Sequence, residues 1–226
     1  MQVEVTQQTT AKESGKIRAL SYQREVNTKS DGCYMFHQGK TCVIAGVNAP
    51  RNTLKSKEQP NTAYVDVQFY EKVAAQQGKR KTELEEFVRS GVEWAVLCEK
   101  YPRGLINVCI QTVKDDGCVE SVGMNATMTS LLYSGVDMKS IVVGMCVAGF
   151  KNANGQYEIV VDANDSREYQ WRVFSAWDLT TNAMAAMKMK GKCTDDQLKQ
   201  SLEISSKNAA KMLRAIKTVI EKQYPL

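Results

Sequence analysis

One change of hydrophobic period, near Gly78, constrains this chain more than any other feature. Before it, short runs at residues 18–26, 32–36, 41–47 and 62–70 alternate apolar and polar positions, the period of half-buried strands. Ser30-Asp31-Gly32, Gln38-Gly39 and Asn48-Ala49-Pro50 punctuate the first three runs and predict an antiparallel meander. Residues 51–61 read as a loop. After Gly78 the apolar positions Leu84, Phe87, Val88, Val92, Ala95 and Val96 recur at steps of three and four, which predicts an amphipathic helix of about five turns. It should stop at Tyr101-Pro102, where proline removes a donor and restricts its neighbour.

The remaining segments continue in the same mixed manner. A strand is expected over 105–113, then a turn at Lys114-Asp115-Asp116-Gly117. Residues 124–133 form a helix rich in small side chains (Asn125, Ala126, Thr127, Thr129, Ser130), closed by Ser134-Gly135, and such a helix suits a central position. Strands are predicted over 140–150, 157–161 and 168–177, while 182–188 fits neither period cleanly. Thr194-Asp195-Asp196-Gln197 carries a capping-box pattern and opens a long helix over 194–224. The order of elements is that of an α+β fold. Residues 1–15 are polar and aperiodic and read as a flexible N-terminal tail, with residues 16–226 as a single domain.

Composition excludes several classes. Hydrophobic residues at 43% and charged residues at 24% of 226 positions suit a globular chain that needs no staples. Lys and Arg exceed Asp and Glu by 30 to 25, and a net +5 is too modest to imply a polyanionic partner by itself. The longest apolar runs, 141–143 and 146–150, are too short to cross a bilayer, so no membrane association is expected. The first ten residues are not those of a signal peptide. The seven cysteines (33, 42, 98, 109, 118, 146 and 193) form no CxxC pair and read as reduced, buried intracellular thiols. His37 is the lone histidine, so a Cys/His zinc site would need thiolates from distant segments. It sits in an alternating run before Gly39 and reads as a strand-end histidine rather than a triad member. No metal and no cofactor is expected.

Several motifs, in order, carry a resemblance. Asp31-Gly32 followed by Gln38-Gly39-Lys40-Thr41-Cys42-Val43 resembles the opening hairpin of the RNase PH family. Ala45-Gly46-Val47-Asn48-Ala49-Pro50, Tyr101-Pro102-Arg103, Ile110-Gln111-Thr112-Val113-Lys114-Asp115-Asp116-Gly117, Asn125-Ala126, Ser134-Gly135-Val136-Asp137-Met138 and Val161-Asp162 are similar to its eukaryotic exosome branch. Within that branch the chain looks most like the small, tail-less ring subunit. The resemblance implies a two-layer RNase PH-like α+β fold with mixed sheets packed with helices and a long C-terminal helix. It also implies RNase PH-like exosome subunits in a hexameric ring, or a homodimer, as partners. RNA maturation and decay in the nucleus, nucleolus and cytoplasm, including rRNA processing and mRNA turnover, would be the role.

Catalysis is not expected to survive. Active family members hold phosphate with Asp-Gly-Gly-Thr-Arg-Thr, whose backbone donors, hydroxyl and arginine suit a multiply charged anion. The matching stretch here is Asp116-Gly117-Cys118-Val119-Glu120-Ser121, which replaces the arginine by a carboxylate and predicts repulsion of a docking phosphate. Asp162-Ala163-Asn164-Asp165-Ser166 reads as a solvated turn, and Asp115 and Asp116 as hairpin turn residues. In the alternative, a homodimeric nuclease acting on RNA and DNA, Asp162, Asp165 and Glu168 would hold a metal or the chain would be phosphorolytic. For RNA the candidates are Lys72 and a Gly-started basic loop, Lys79, Arg80 and Lys81, near a helix start. Arg89 remains on the helix where the resemblance places RNA-tracking arginines, beside Glu86 and Glu93. Lys188, Lys190 and Lys192 are weaker candidates.

Overall fold

In a computed structural model of the chain, the described residues are 3–5, 17–24, 26–53, 55–71, 79–151, 157–165 and 168–223. The alternating runs become β2 (Leu20–Arg24), β3 (Gly32–Gln38) and β4 (Thr41–Asn52), antiparallel neighbours as the turn signals require. β1 (Val3–Val5) pairs with β2 at the sheet edge, while the rest of the expected tail lies outside the described residues. β5 (Tyr64–Tyr70) joins β6 (Gly104–Lys114) in parallel, which needs a crossover, and helix α1 (Lys79–Ala95) supplies it. The first sheet has the order β1-β2-β3-β4-β6-β5. The second sheet contains β7 (Val142–Lys151), β8 (Tyr157–Val161), β9 (Trp171–Asp178) and β10 (Ala183–Gly191) in the order β10-β9-β7-β8.

Helices α1 and α2 (Val119–Ser134) lie between the sheets, and α3 (Asp195–Gln223) covers the far face of the second sheet. β7 shows both environments along one strand. Val142 and Cys146 join the core around α1 and α2, whereas Val143, Met145 and Val147 pack with Ala209, Met212 and Ile216 of α3. A strand buried on both faces reads as one apolar run, which is how its sequence looked.

The small residues of α2 permit its central place. Asn125 donates to the carbonyl of Gly144 in β7 at 3.1 Å and accepts the Gly144 N–H at 2.8 Å. On its other side, Ser130 Oγ donates to the carbonyl of Ala45 in β4 at 2.8 Å. A Cβ at Gly144 would lie 2.7 Å from the Ser121 carbonyl oxygen, closer than real side chains come. α2 begins at Val119, five residues before the sequence expectation, because the turn at Gly117 enters the helix directly.

The undecided segment at 182–188 is strand β10. Its Ala- and Met-rich sequence favours a helix, but eight paired positions along β9 override that local preference. The capping box is present: Thr194 N–H donates to Gln197 Oε1 at 2.9 Å, and Gln197 N–H to Thr194 Oγ1 at 3.4 Å. The α+β class is as expected. Replacing Gly144 by alanine should cost about 1–3 kcal/mol through overpacking, whereas Thr194→Ala should cost about 1 kcal/mol. Urea unfolding monitored by circular dichroism measures both, and an unchanged midpoint for Gly144→Ala would contradict the close approach at Gly144.

Candidate functional site

The turn from β6 into α2 is where phosphate chemistry was expected. Gly117 and Cys118 both have left-handed backbones, with φ of 91° and 62°. Glycine adopts this freely; Cys118 is held there by its Sγ, which donates to the carbonyl of Ala163 at 3.1 Å. Burial pushes the Cys118 thiol well up, and the neighbouring Cys146 adds to it, so the group stays a neutral donor. Thr41 Oγ1, at the start of β4, donates to the Gly117 carbonyl at 2.8 Å and accepts the Asp116 N–H at 3.1 Å.

Two arginines with no role in the sequence analysis flank this turn. Arg18, just before β2, places Nη2 2.7 Å from Asp162 Oδ1 and donates its backbone N–H to Asp162 Oδ2 at 2.9 Å. The same guanidinium reaches the carbonyls of Asp116 at 3.2 Å and Gly117 at 3.3 Å. Arg172, on β9, is 4% exposed and places Nη1 2.7 Å from Asp165 Oδ1. Its Nε and Nη2 are buried with no hydrogen-bond partner among the described residues, while its Cζ lies 4.1 Å from the centre of the Tyr169 ring. Asp162 is therefore not part of a solvated turn. It is 3% exposed, and Arg18 compensates its charge from 144 positions away.

Glu120 departs furthest from expectation. Its side chain is 2% exposed, in the first turn of α2, with Lys190 Nζ at 2.7 Å and Lys188 Nζ at 3.4 Å. Lys188 also reaches Glu83 Oε2 of α1 at 3.1 Å. Burial alone would raise this carboxyl, but Lys190 and then Lys188 outweigh it and hold the group below the usual carboxylate range. The predicted bare carboxylate facing phosphate is thus corrected: Glu120 is neutralised by β10. Lys188 and Lys190 are likewise corrected, since they serve this buried cluster instead of a surface groove.

The basic cluster falls differently from its prediction. Lys79, Arg80 and Lys81 are the first three residues of α1 rather than a preceding loop. The side chains of Lys79 and Arg80, and all of Lys72, lie outside the described residues. Lys81 Nζ sits 3.9 Å from Glu85 Oε1 and 5.5 Å from the centre of the Tyr70 ring. Arg89 is half-buried, whereas Glu86 and Glu93 are exposed. His37 lies in β3 with Nε2 3.7 Å from Cys42 Sγ, and the seven cysteines are free thiols. Among the described residues no group of three or more His, Cys, Asp or Glu could hold a metal ion, and no helix is long and apolar enough to cross a membrane.

Residues 16–137, more than half of the chain, match the 3′ exoribonuclease family, domain 1, known as RNase PH. The chain belongs to the RNase PH family. It is 25% identical over 228 residues to the exosome complex component Rrp41 of Pyrobaculum islandicum, covering 92% of this chain and 89% of the relative. Its fold superposes on rice (Oryza sativa) Rrp46 with a TM-score of 0.84 at 19% identity, covering 93% and 98% of the two chains. The Archaeoglobus fulgidus exosome with RNA bound to the active site matches with a TM-score of 0.72 at 16% identity, over 90% of each chain.

Within this RNase PH fold, sequence reasoning missed Arg18, Arg172 and the inward role of Lys188 and Lys190. One signal was available: a carboxylate on a wholly buried helix requires a nearby cation. Glu120→Gln should therefore lower stability by about 3 kcal/mol at pH 7 by leaving Lys188 and Lys190 undercompensated. The folded-state carboxyl titrates below its ordinary 4.5, so its contribution is present above that value and is lost as pH falls through the folded pKa. Denaturation curves of the two proteins should differ by a constant amount from neutral pH to about 5, then converge in acid. A difference that grows on acidification would contradict the assignment.

Proposed function

We propose that this chain is a non-catalytic RNase PH-type subunit of an exosome core ring, which holds neighbouring subunits and guides RNA to 3′-to-5′ processing and decay. The first turn of α2 carries this reading. Cys118, Val119 and Glu120 stand where active members present a glycine, a hydroxyl and an arginine. The nearby guanidiniums of Arg18 and Arg172 are each engaged by a carboxylate at 2.7 Å. A phosphate would have to displace Asp162 from Arg18, breaking charge-assisted bonds worth about 1.5–3 kcal/mol each.

Ring membership is supported by relatives named as exosome components and by folds shared with an archaeal exosome core. RNA as the ligand is supported by the related exosome with RNA bound to its active site. Other RNase PH-type subunits are the proposed partners, and rRNA maturation and mRNA turnover in the nucleus, nucleolus and cytoplasm are the proposed setting. Lys79, Arg80 and Lys81, which open α1, together with Lys72 and Arg89, are the proposed phosphate contacts. An autonomous metal-dependent nuclease fits less well, because Asp162 and Asp165 already face arginines.

Incubating the pure protein with 5′-labelled RNA and inorganic phosphate should yield no shortened RNA and no nucleoside diphosphate. Phosphate-dependent release of diphosphates would overturn the non-catalytic assignment. Changing Lys79, Arg80 and Lys81 together to Glu should weaken RNA binding and flatten its dependence on log salt by about two to three units of slope. An unchanged slope would remove these residues from the RNA path.

A further inference from the structure

A second polar site lies at the opposite end of β4, about 24 Å from Thr41 by strand rise over seven residues. Here a cavity of about 310 Å³ is lined by Lys29, Asn48, Arg51, Asn52, Leu105 and Asn107, which is near the lower limit of small-molecule pockets. The cavity opens on the face of the first sheet turned away from α1 and α2. Leu105 and Asn107 alternate along β6 with Ile106 and Val108, which belong to the core between the sheets.

A break in strand register shapes it. Asn48 stands opposite Asn107, but the next matched pair is Arg51 opposite Leu105, so β4 carries one extra residue between them. Such a bulge re-aims the side chains that follow it and is over-represented beside functional sites. Arg51 Nη2 donates to Asn48 Oδ1 at 3.3 Å, and Arg51 also lies 3.8 Å from Asp31 Oδ2. Asp31 is shared, because the same oxygen accepts the Ala49 N–H at 3.0 Å.

The lining has a specific complement. Asn48 Oδ1 accepts from Arg51 and Asn107 Oδ1 from Cys109 Sγ at 3.4 Å. Each oxygen keeps a second lone pair beside an NH2 donor, so the two carboxamides opposed across adjacent strands can read the edge of a planar ring that both donates and accepts. Leu105 offers apolar surface for the ring or the ribose. Lys29 supplies an ammonium for a phosphate at the mouth, and Arg51 adds a guanidinium. The exposed contact of Arg51 with Asp31 at 3.8 Å is looser than the 2.7 Å pairs of Arg18 and Arg172. An inorganic anion would leave the carboxamides unread, and an apolar ligand would leave both cations unused.

We propose that this cavity binds a nucleoside 5′-phosphate unit, supplied either by a free nucleotide or by one residue of an RNA strand. The site uses none of the α2 residues, and it does not rest on ring membership or on the loss of catalysis.

Amide NMR spectra of the whole protein, titrated separately with AMP, inorganic phosphate, adenosine and a short oligoadenylate, test it. AMP or the oligoadenylate should give saturable shifts at Asn48, Arg51, Leu105 and Asn107, at least tenfold tighter than phosphate or adenosine. Asn107→Leu and Lys29→Glu should each weaken that binding tenfold or more. Lys29 is exposed, so Lys29→Glu decides the matter if Asn107→Leu unfolds. Saturation by AMP assigns a free nucleotide, and saturation by the oligomer alone assigns a strand residue; either supports the site. No saturable shift at these residues, phosphate binding as tightly as AMP, or Lys29→Glu binding like the parent would overturn it.

Discussion

Every charged group placed at the buried N-terminus of α2 must find its counter-charge inside the protein. With a sheet on each side of this helix, water cannot supply it, and an uncompensated ion there costs several kcal/mol. Three pairings meet the demand: Glu120 with Lys190 and Lys188, Arg18 with Asp162, and Arg172 with Asp165. The first ties α2 to β10, the second ties the N-terminal approach to β2 to the segment after β8, and the third ties that segment to β9. Lys188 extends the first pairing to Glu83 on α1. The charges that link the elements around the helix are thus the charges that surround the turn from β6 into α2.

The physical case against phosphate binding therefore differs from simple repulsion. A carboxylate flanked by two ammonium groups carries little net field toward the turn. On the proposed reading, what the turn lacks is side-chain donors committed to an anion: Cys118 Sγ is spent on Ala163, Val119 has no hydroxyl, and Arg18 bonds Asp162 and two carbonyls. Beside the turn, Arg18 Nε and Arg172 Nε and Nη2 are buried without a hydrogen-bond partner among the described residues.

The sequence made legible whatever depends on neighbours in the chain. The β2–β3–β4 meander, the apolar face of α1, the small-residue α2 and the Thr194–Gln197 box all follow from local period or capping chemistry. β10 was not legible, because its strand state comes from pairing with β9 against the helical preference of Ala and Met. The charge partners were not legible either. Lys190 meets Glu120 across 70 positions and Arg18 meets Asp162 across 144, separations that no local pattern encodes. The amide cavity was hidden for a similar reason, since only the register of β4 on β6 brings Asn48 and Asn107 face to face.

Inorganic phosphate titrated into the isotopically labelled protein, observed at the backbone amides of Gly117, Cys118, Val119 and Glu120, probes the central claim most directly. Those four amides should stay unmoved up to millimolar phosphate. Saturable movement of them together, at a concentration well below that, would mean the turn still accepts the anion and that the engaged arginines do not close it.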